Sequence, residues 1–129
     1  MSNWLDLLSG DPVPWLLEDS DPVVRHATLR SLLGRGEGDP EVRSAQSAAM
    51  QTSPIATILA NQHPQGYWVK PGPGYSSKYT GTVWQVIFLD QLGADGNDRR
   101  VQAACEYVLS HTQTSAGGCY ATDRALEHL

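Results

Sequence analysis

The chain has 129 residues, 40% apolar and 18% charged, enough for one globular core and too few for two. Its net charge of -5, with nine Lys plus Arg and none of them clustered, gives no electrostatic footprint for phosphate backbones and argues against nucleic acid as a partner. No apolar run approaches the roughly 20 residues needed to span a bilayer, and the first ten residues lack the pattern of a signal peptide, so the expected setting is cytoplasmic with no membrane span.

From the N-terminus, Ser2 precedes Trp4, Leu5, Leu7 and Leu8 and marks a weak helix start. Three Asp-Pro pairs follow, Asp11-Pro12, Asp21-Pro22 and Asp39-Pro40, with the related Ser53-Pro54. Each supplies a side-chain acceptor for the N-cap and a residue with fixed φ and no N–H for the first helical position, so each predicts a helix start. Gly10 and Gly34 are the expected terminating glycines. Val24, Ala27, Leu29, Leu32 and Leu33 make a helical apolar stripe, with Arg25, His26 and Arg30 toward water. Val42, Ala45 and Ala49 make a narrower one, and Ile55, Ile58 and Leu59 form one face of a short helix.

Residues 63–80 break the helical pattern with Pro64, Gly66, Pro71, Gly72, Pro73 and Gly74. A loop this long needs a reason, and Tyr67, Trp68, Tyr75 and Tyr79 are costly to leave wet, so it is expected to lie down on the helices it joins. The next helix, about 82–92, is apolar nearly all round, which predicts burial on more than one side. Asn97 or Asp98 caps a helix whose Val101, Ala104, Val108 and His111 face inward while Arg99, Arg100, Gln102 and Glu106 face water. Cys105, near that stripe, reads as a small buried hydrophobe; it and Cys119 are expected to be thiols. Residues 121–129 begin a last helix. No strand is convincing; residues 67–69 are the best candidate.

One pattern recurs. Gln62-x3-Gly66-x-Trp68 has a looser downstream copy in Tyr107-Val108, then Gln113, Gly118 and Tyr120, with Gly66 to Gly118 and Trp68 to Tyr120 each 52 residues apart. The first copy, with Ile58 four positions earlier, resembles the glutamine-tryptophan repeat of squalene and triterpene cyclases, whose helical hairpins build the α/α toroid shared with protein prenyltransferase β subunits. The likeness covers residues 54–121; Thr57 departs from an aromatic preference and Tyr120 stands where tryptophan is usual. It implies structural roles: the Gln amide ties a helix end to neighbouring backbone, and the glycine lets the Trp68 ring pack close. A second segment, from Leu16-Leu17 through Asp21-Pro22-Val23-Val24-Arg25-His26-Ala27 to Leu32-Leu33-Gly34, resembles a HEAT-like repeat.

The catalytic motifs of the toroid enzymes are missing. There is no D-x-D-D run; Asp19-Ser20-Asp21 and the Asp95–Asp98 loop read as turns and caps. His111, Cys119 and Asp123, the nearest set to a zinc site, lack a ligand spacing. No G-x-S-x-G elbow is present, and proline spoils Gly72-Pro73-Gly74 as a phosphate cradle. Hence no catalytic residue, metal or cofactor is expected. The aromatic group Tyr67, Trp68, Tyr75, Tyr79 and Trp84 reads either as core under the loop or as a groove for an apolar or cationic ligand.

The expected fold is all-α, a single domain of antiparallel helical hairpins: HEAT-like lead-in helices over 1–53, then an incomplete toroid-type repeat over 54–129. Too few hairpins are present to close a toroid, so an uncovered helical edge is expected, to be covered by a protein partner or by self-association of a piece of a larger protein. The expected function is a non-catalytic module binding a protein partner or a hydrophobic small molecule. The alternative is the N-terminal part of a cyclase-like or prenyltransferase-like enzyme with its acids beyond residue 129.

Overall fold

A computed structural model describes residues 3–119. Ser2, Tyr120, Asp123 and the predicted helix over 121–129 lie outside the described residues. Within them the chain is helical: a 3-10 turn Trp4–Leu7, then α1 (Val13–Leu16), α2 (Pro22–Ala27, continued by a π-helical turn Thr28–Leu32), α3 (Pro40–Met50), α4 (Ile55–Ala60), α5 (Thr82–Gln91) and α6 (Arg99–Thr112). No strand occurs among the described residues, residues 67–69 included; one isolated bridge joins Gln113 and Cys119. No described helix is long and apolar enough to cross a membrane.

The caps follow the sequence closely. Asp21, Asp39 and Asp98 each accept a backbone N–H from the first turn they precede, those of Val24, Glu41 and Arg100, and Pro22 and Pro40 occupy the first helical position. Pro12 and Pro54 instead stand just before their helices; Asp11 reaches Val13 N–H, and the Ser53–Pro54 peptide is cis. Gly34 and Gly93 end helices in the left-handed region, with Arg35 N–H returning to Leu29 and Ala94 N–H to Leu89, both at 2.9 Å. Gly10 has no such role, because the first turn closes at Leu8 in extended backbone.

Helices pack on their chain neighbours: α2 on α3, α3 on α4, α4 on α5, and α5 on α6. One core cluster joins Ala49, Met50, Ile55, Leu59, Trp68, Leu89 and Ala104; a second joins Leu29, Val42 and Ala45, with Leu17 against it. The narrow α3 stripe is buried as its small residues require.

Three predicted faces are corrected. In α2, Val23 packs against the core and His26 is buried, whereas Val24, Ala27, Leu32 and Leu33 are exposed. The π-helical turn, with Leu33 N–H bonded to Thr28 at 3.0 Å, adds a residue to the turn and rotates Leu32 and Leu33 off the inner face. In α6, Ala104, Tyr107 and Thr112 are buried, while Cys105 and His111 are exposed. In α5, Thr82, Gln85 and Leu89 form one buried line, and Ile87 stays 40% exposed; its surplus of apolar side chains is only half covered.

Candidate functional site

The Gln62–Trp68 stretch is the junction that fastens α4 to α5 and α6. As α4 ends, Gln62 extends its amide to the first turn of α6, where Nε2 donates to the Arg100 carbonyl at 2.9 Å; the Gly66 carbonyl is at 3.3 Å. Gly66 has φ +103°, and a Cβ there would stand 2.9 Å from the Ala103 carbonyl oxygen. Its missing side chain therefore lets the turn lie against α6, rather than making room for the tryptophan ring. Trp68 is 3% exposed; its indole N–H donates to the Ile58 carbonyl at 2.8 Å, and its backbone N–H to Thr82 Oγ1 at 3.0 Å. An indole that is both buried and bonded is a wedge.

The downstream turn uses the same frame with a different register. His63 N–H donates to the Tyr67 carbonyl and Thr114 N–H to the Gly118 carbonyl, each at 2.7 Å; Gly66 N–H and Gly117 N–H close the inner bonds at 2.8 and 3.0 Å. Gly66 and Gly117 both have positive φ. The structural counterparts are therefore Gln62 with Gln113, Gly66 with Gly117 and Trp68 with Cys119, 51 residues apart, which corrects the 52-residue pairing with Gly118. Tyr120 lies outside the described residues.

The five predicted aromatics do not converge. Trp68 is core. Tyr67 belongs to a ladder of rings, His63–Tyr67–Tyr107–His111, with successive centroids 4.2, 5.4 and 3.8 Å apart; the Tyr107 hydroxyl accepts from Gly72 N–H at 2.8 Å and pins the loop to α6. Tyr75, Tyr79 and the half-buried Trp84 form a separate shelf whose two tyrosines are exposed. Tyr75 stacks on Trp84 at 5.2 Å, Tyr79 meets it edge-on at 5.0 Å, and Lys78 Nζ lies 5.0 Å from the Tyr79 ring centroid. The shelf is held from behind: Trp84 Nε1 donates to the Tyr75 carbonyl and Gln85 Nε2 to the Tyr79 carbonyl, at 2.9 and 2.8 Å. The loop lies down on its helices through Pro73, Gly74 and Gly81, all buried, where the Gly74 and Gly81 backbones meet too closely for a Cβ on either.

A further surface was not read from the sequence. Between α5 and α6 runs an open groove of about 500 Å³, lined mainly by Val86, Ile87, Leu89, Ala94, Val101 and Ala104, with the exposed Cys105 on its wall. The signal was present in the all-round apolarity of 82–92, which reads as burial until a neighbour is found to be lacking. The sequence also gives no sign of the roles of Thr82 and Tyr107, the latter read only as the start of the downstream copy, since neither a threonine after a glycine nor a tyrosine in a helix announces a partner across a loop.

Charged groups are few near these surfaces. Arg100, bonded to the Asp98 carboxylate through Nη2 at 2.9 Å and Nε at 3.1 Å, holds Asp98 below the ordinary carboxylate range. Burial, helped by Arg30 and opposed by Glu37, holds His26 below the ordinary histidine range. Among the described residues no three His, Cys, Asp or Glu side chains gather as a metal site; of His111, Cys119 and Asp123 the last lies outside them. Cys105 and Cys119 are exposed free thiols, which corrects the buried reading of Cys105.

No protein-family model, curated protein or solved structure matches the chain.

Proposed function

We propose that the chain is a non-catalytic helical-repeat module that binds an apolar surface, a helix of a protein partner or a hydrophobic small molecule, along the α5–α6 groove. The observation that carries this is the groove itself: apolar side chains of two packed helices, with Ile87 exposed, Val86 and Val101 half-buried and the buried Ala104 at its floor. Groove-shaped apolar surface of this kind is what an amphipathic helix covers with side chains spaced three and four apart.

The toroid-type arrangement of antiparallel hairpins belongs to the same proposal. Gln62 reaching the Arg100 carbonyl, with Trp68 wedged among α4 and α5, supports the likeness to the glutamine-tryptophan repeat. In a stack of such hairpins the α5–α6 face is where the next unit rests, and a partner helix takes that place here.

The test is 1-anilinonaphthalene-8-sulfonate binding to the full chain carrying Cys119→Ser, read by fluorescence and by the reactivity of the Cys105 thiol. Saturable binding is expected, with Cys105 slowed severalfold and both effects lost in Ile87→Glu. Dye binding indifferent to Ile87→Glu, with Cys105 reacting at its free rate, would contradict the reading.

A further inference from the structure

The acidic residues are segregated along the chain. All 14 Asp plus Glu fall outside residues 42–89, which instead carry Arg43, Lys70 and Lys78. The shelf of Tyr75, Tyr79 and Trp84 lies inside that acid-free stretch, with Lys78 beside it, and Tyr75 and Tyr79 are 45% and 57% exposed. Two non-glycine residues of the same loop, Val69 and Tyr79, hold positive φ, a strain that the surrounding packing must sustain.

The N-terminal arm has the opposite character. Residues 4–21 contain Asp6, Asp11, Glu18, Asp19 and Asp21 and no Lys or Arg. No residue of the first turn or of α1 is buried; Leu7 is 86% exposed and Trp15 70%. Asp6, Asp11 and Glu18 enter no ion pair among the described residues; Asp19 pairs with Arg25. So one segment offers carboxylates beside an open tryptophan and leucine, and another offers the Lys78 ammonium beside open rings. Neither is covered by the other within one chain.

We infer that the acidic arm of one copy, led by Trp15 and Glu18, docks on the basic aromatic shelf of a second copy around Lys78 and Tyr75. Charge complementarity selects the partner: the stretch of chain that carries the shelf, residues 42–89, contains no carboxylate side chain, and the arm, residues 4–21, contains no Lys or Arg. Stacking of Trp15 on the tyrosine rings supplies the apolar contact. The contact is heterologous, arm to shelf, so it either closes into a ring or reciprocal pair or propagates. It uses a surface other than the α5–α6 groove and stands or falls separately from the function proposed above.

Light scattering of the full chain over a wide concentration range is the test. Average mass is expected to rise with concentration at about 0.05 M salt, with the association constant falling about tenfold or more toward 1 M as the charges are screened. Glu18→Lys/Trp15→Ser should abolish association, as should Lys78→Glu/Tyr75→Ser, with the helical circular-dichroism signal kept. Mixing the two variants should restore a 1:1 dimer, because each keeps the half the other lacks. A natural chain that is monomeric at every concentration, association that strengthens with salt or survives both variants, or folded variants that stay monomeric when mixed would each overturn the inference. Should either variant lose its helical signal, the salt dependence of the natural chain decides.

Discussion

The turns at Gln62–Trp68 and Gln113–Cys119 share one backbone frame, and they differ in almost everything around it. The first is pressed against α6, its glycine under the Ala103 carbonyl and its aromatic buried beneath Ile58. The second has the same paired bonds and a positive-φ glycine, yet nothing stands within 4 Å of the Cβ position at Gly117, and Gln113 and Cys119 are exposed. Gln-x3-Gly specifies the shape of the turn. Whether that turn fastens anything depends on the tryptophan and on a helix to receive it.

Substitutions separate the two effects. The largest loss is expected from Trp68→Ala, about 3–5 kcal/mol in urea unfolding, since it empties a core site and orphans the Ile58 carbonyl and its bond. The corresponding Cys119→Ala should change stability by no more than about 0.5 kcal/mol. Gly66→Ala is expected to cost about 2–4 kcal/mol, left-handed strain plus collision with the Ala103 carbonyl, whereas Gly117→Ala, with strain alone, should cost about 1–2 kcal/mol. Equal costs at the two glycines would break the comparison.

A smaller effect is read by pH. His26 is held below its ordinary value, so the folded state binds its proton less readily than the unfolded chain. Its neutral form is stabilising above about pH 6.5, and that contribution is lost as pH falls through the unfolded value, levelling off below the folded one. Thermal stability should therefore fall from about pH 7 toward pH 5, and His26→Gln should flatten that slope. An unchanged slope in the variant would place the proton uptake elsewhere.

Much of the fold was legible because its marks are local. Asp21, Asp39 and Asp98 cap helices through bonds two or three residues long, and such bonds are written in adjacent letters. The stripes of α3 and α4 were readable for the same reason. The inner face of α2 was not, since the π-helical turn changes the period partway and apolarity alone does not show it. The candidate site was legible only in part. Gln62, Gly66 and Trp68 stood out by spacing, but the five aromatics were grouped because they are near in sequence, and the fold sends them to a core, a ring ladder and an exposed shelf. Apolar residues all round α5 signalled a need for cover without saying that one side would go without it.

Amide hydrogen exchange by NMR measures the asymmetry between the two turns directly. The backbone N–H of Trp68 and its indole N–H should exchange only through global unfolding, while the Thr114 and Gly117 amides, bonded in the same frame, should exchange faster by orders of magnitude. A Trp68 indole that exchanges as fast as the exposed Trp15 indole, or two turns with equal protection, would contradict it.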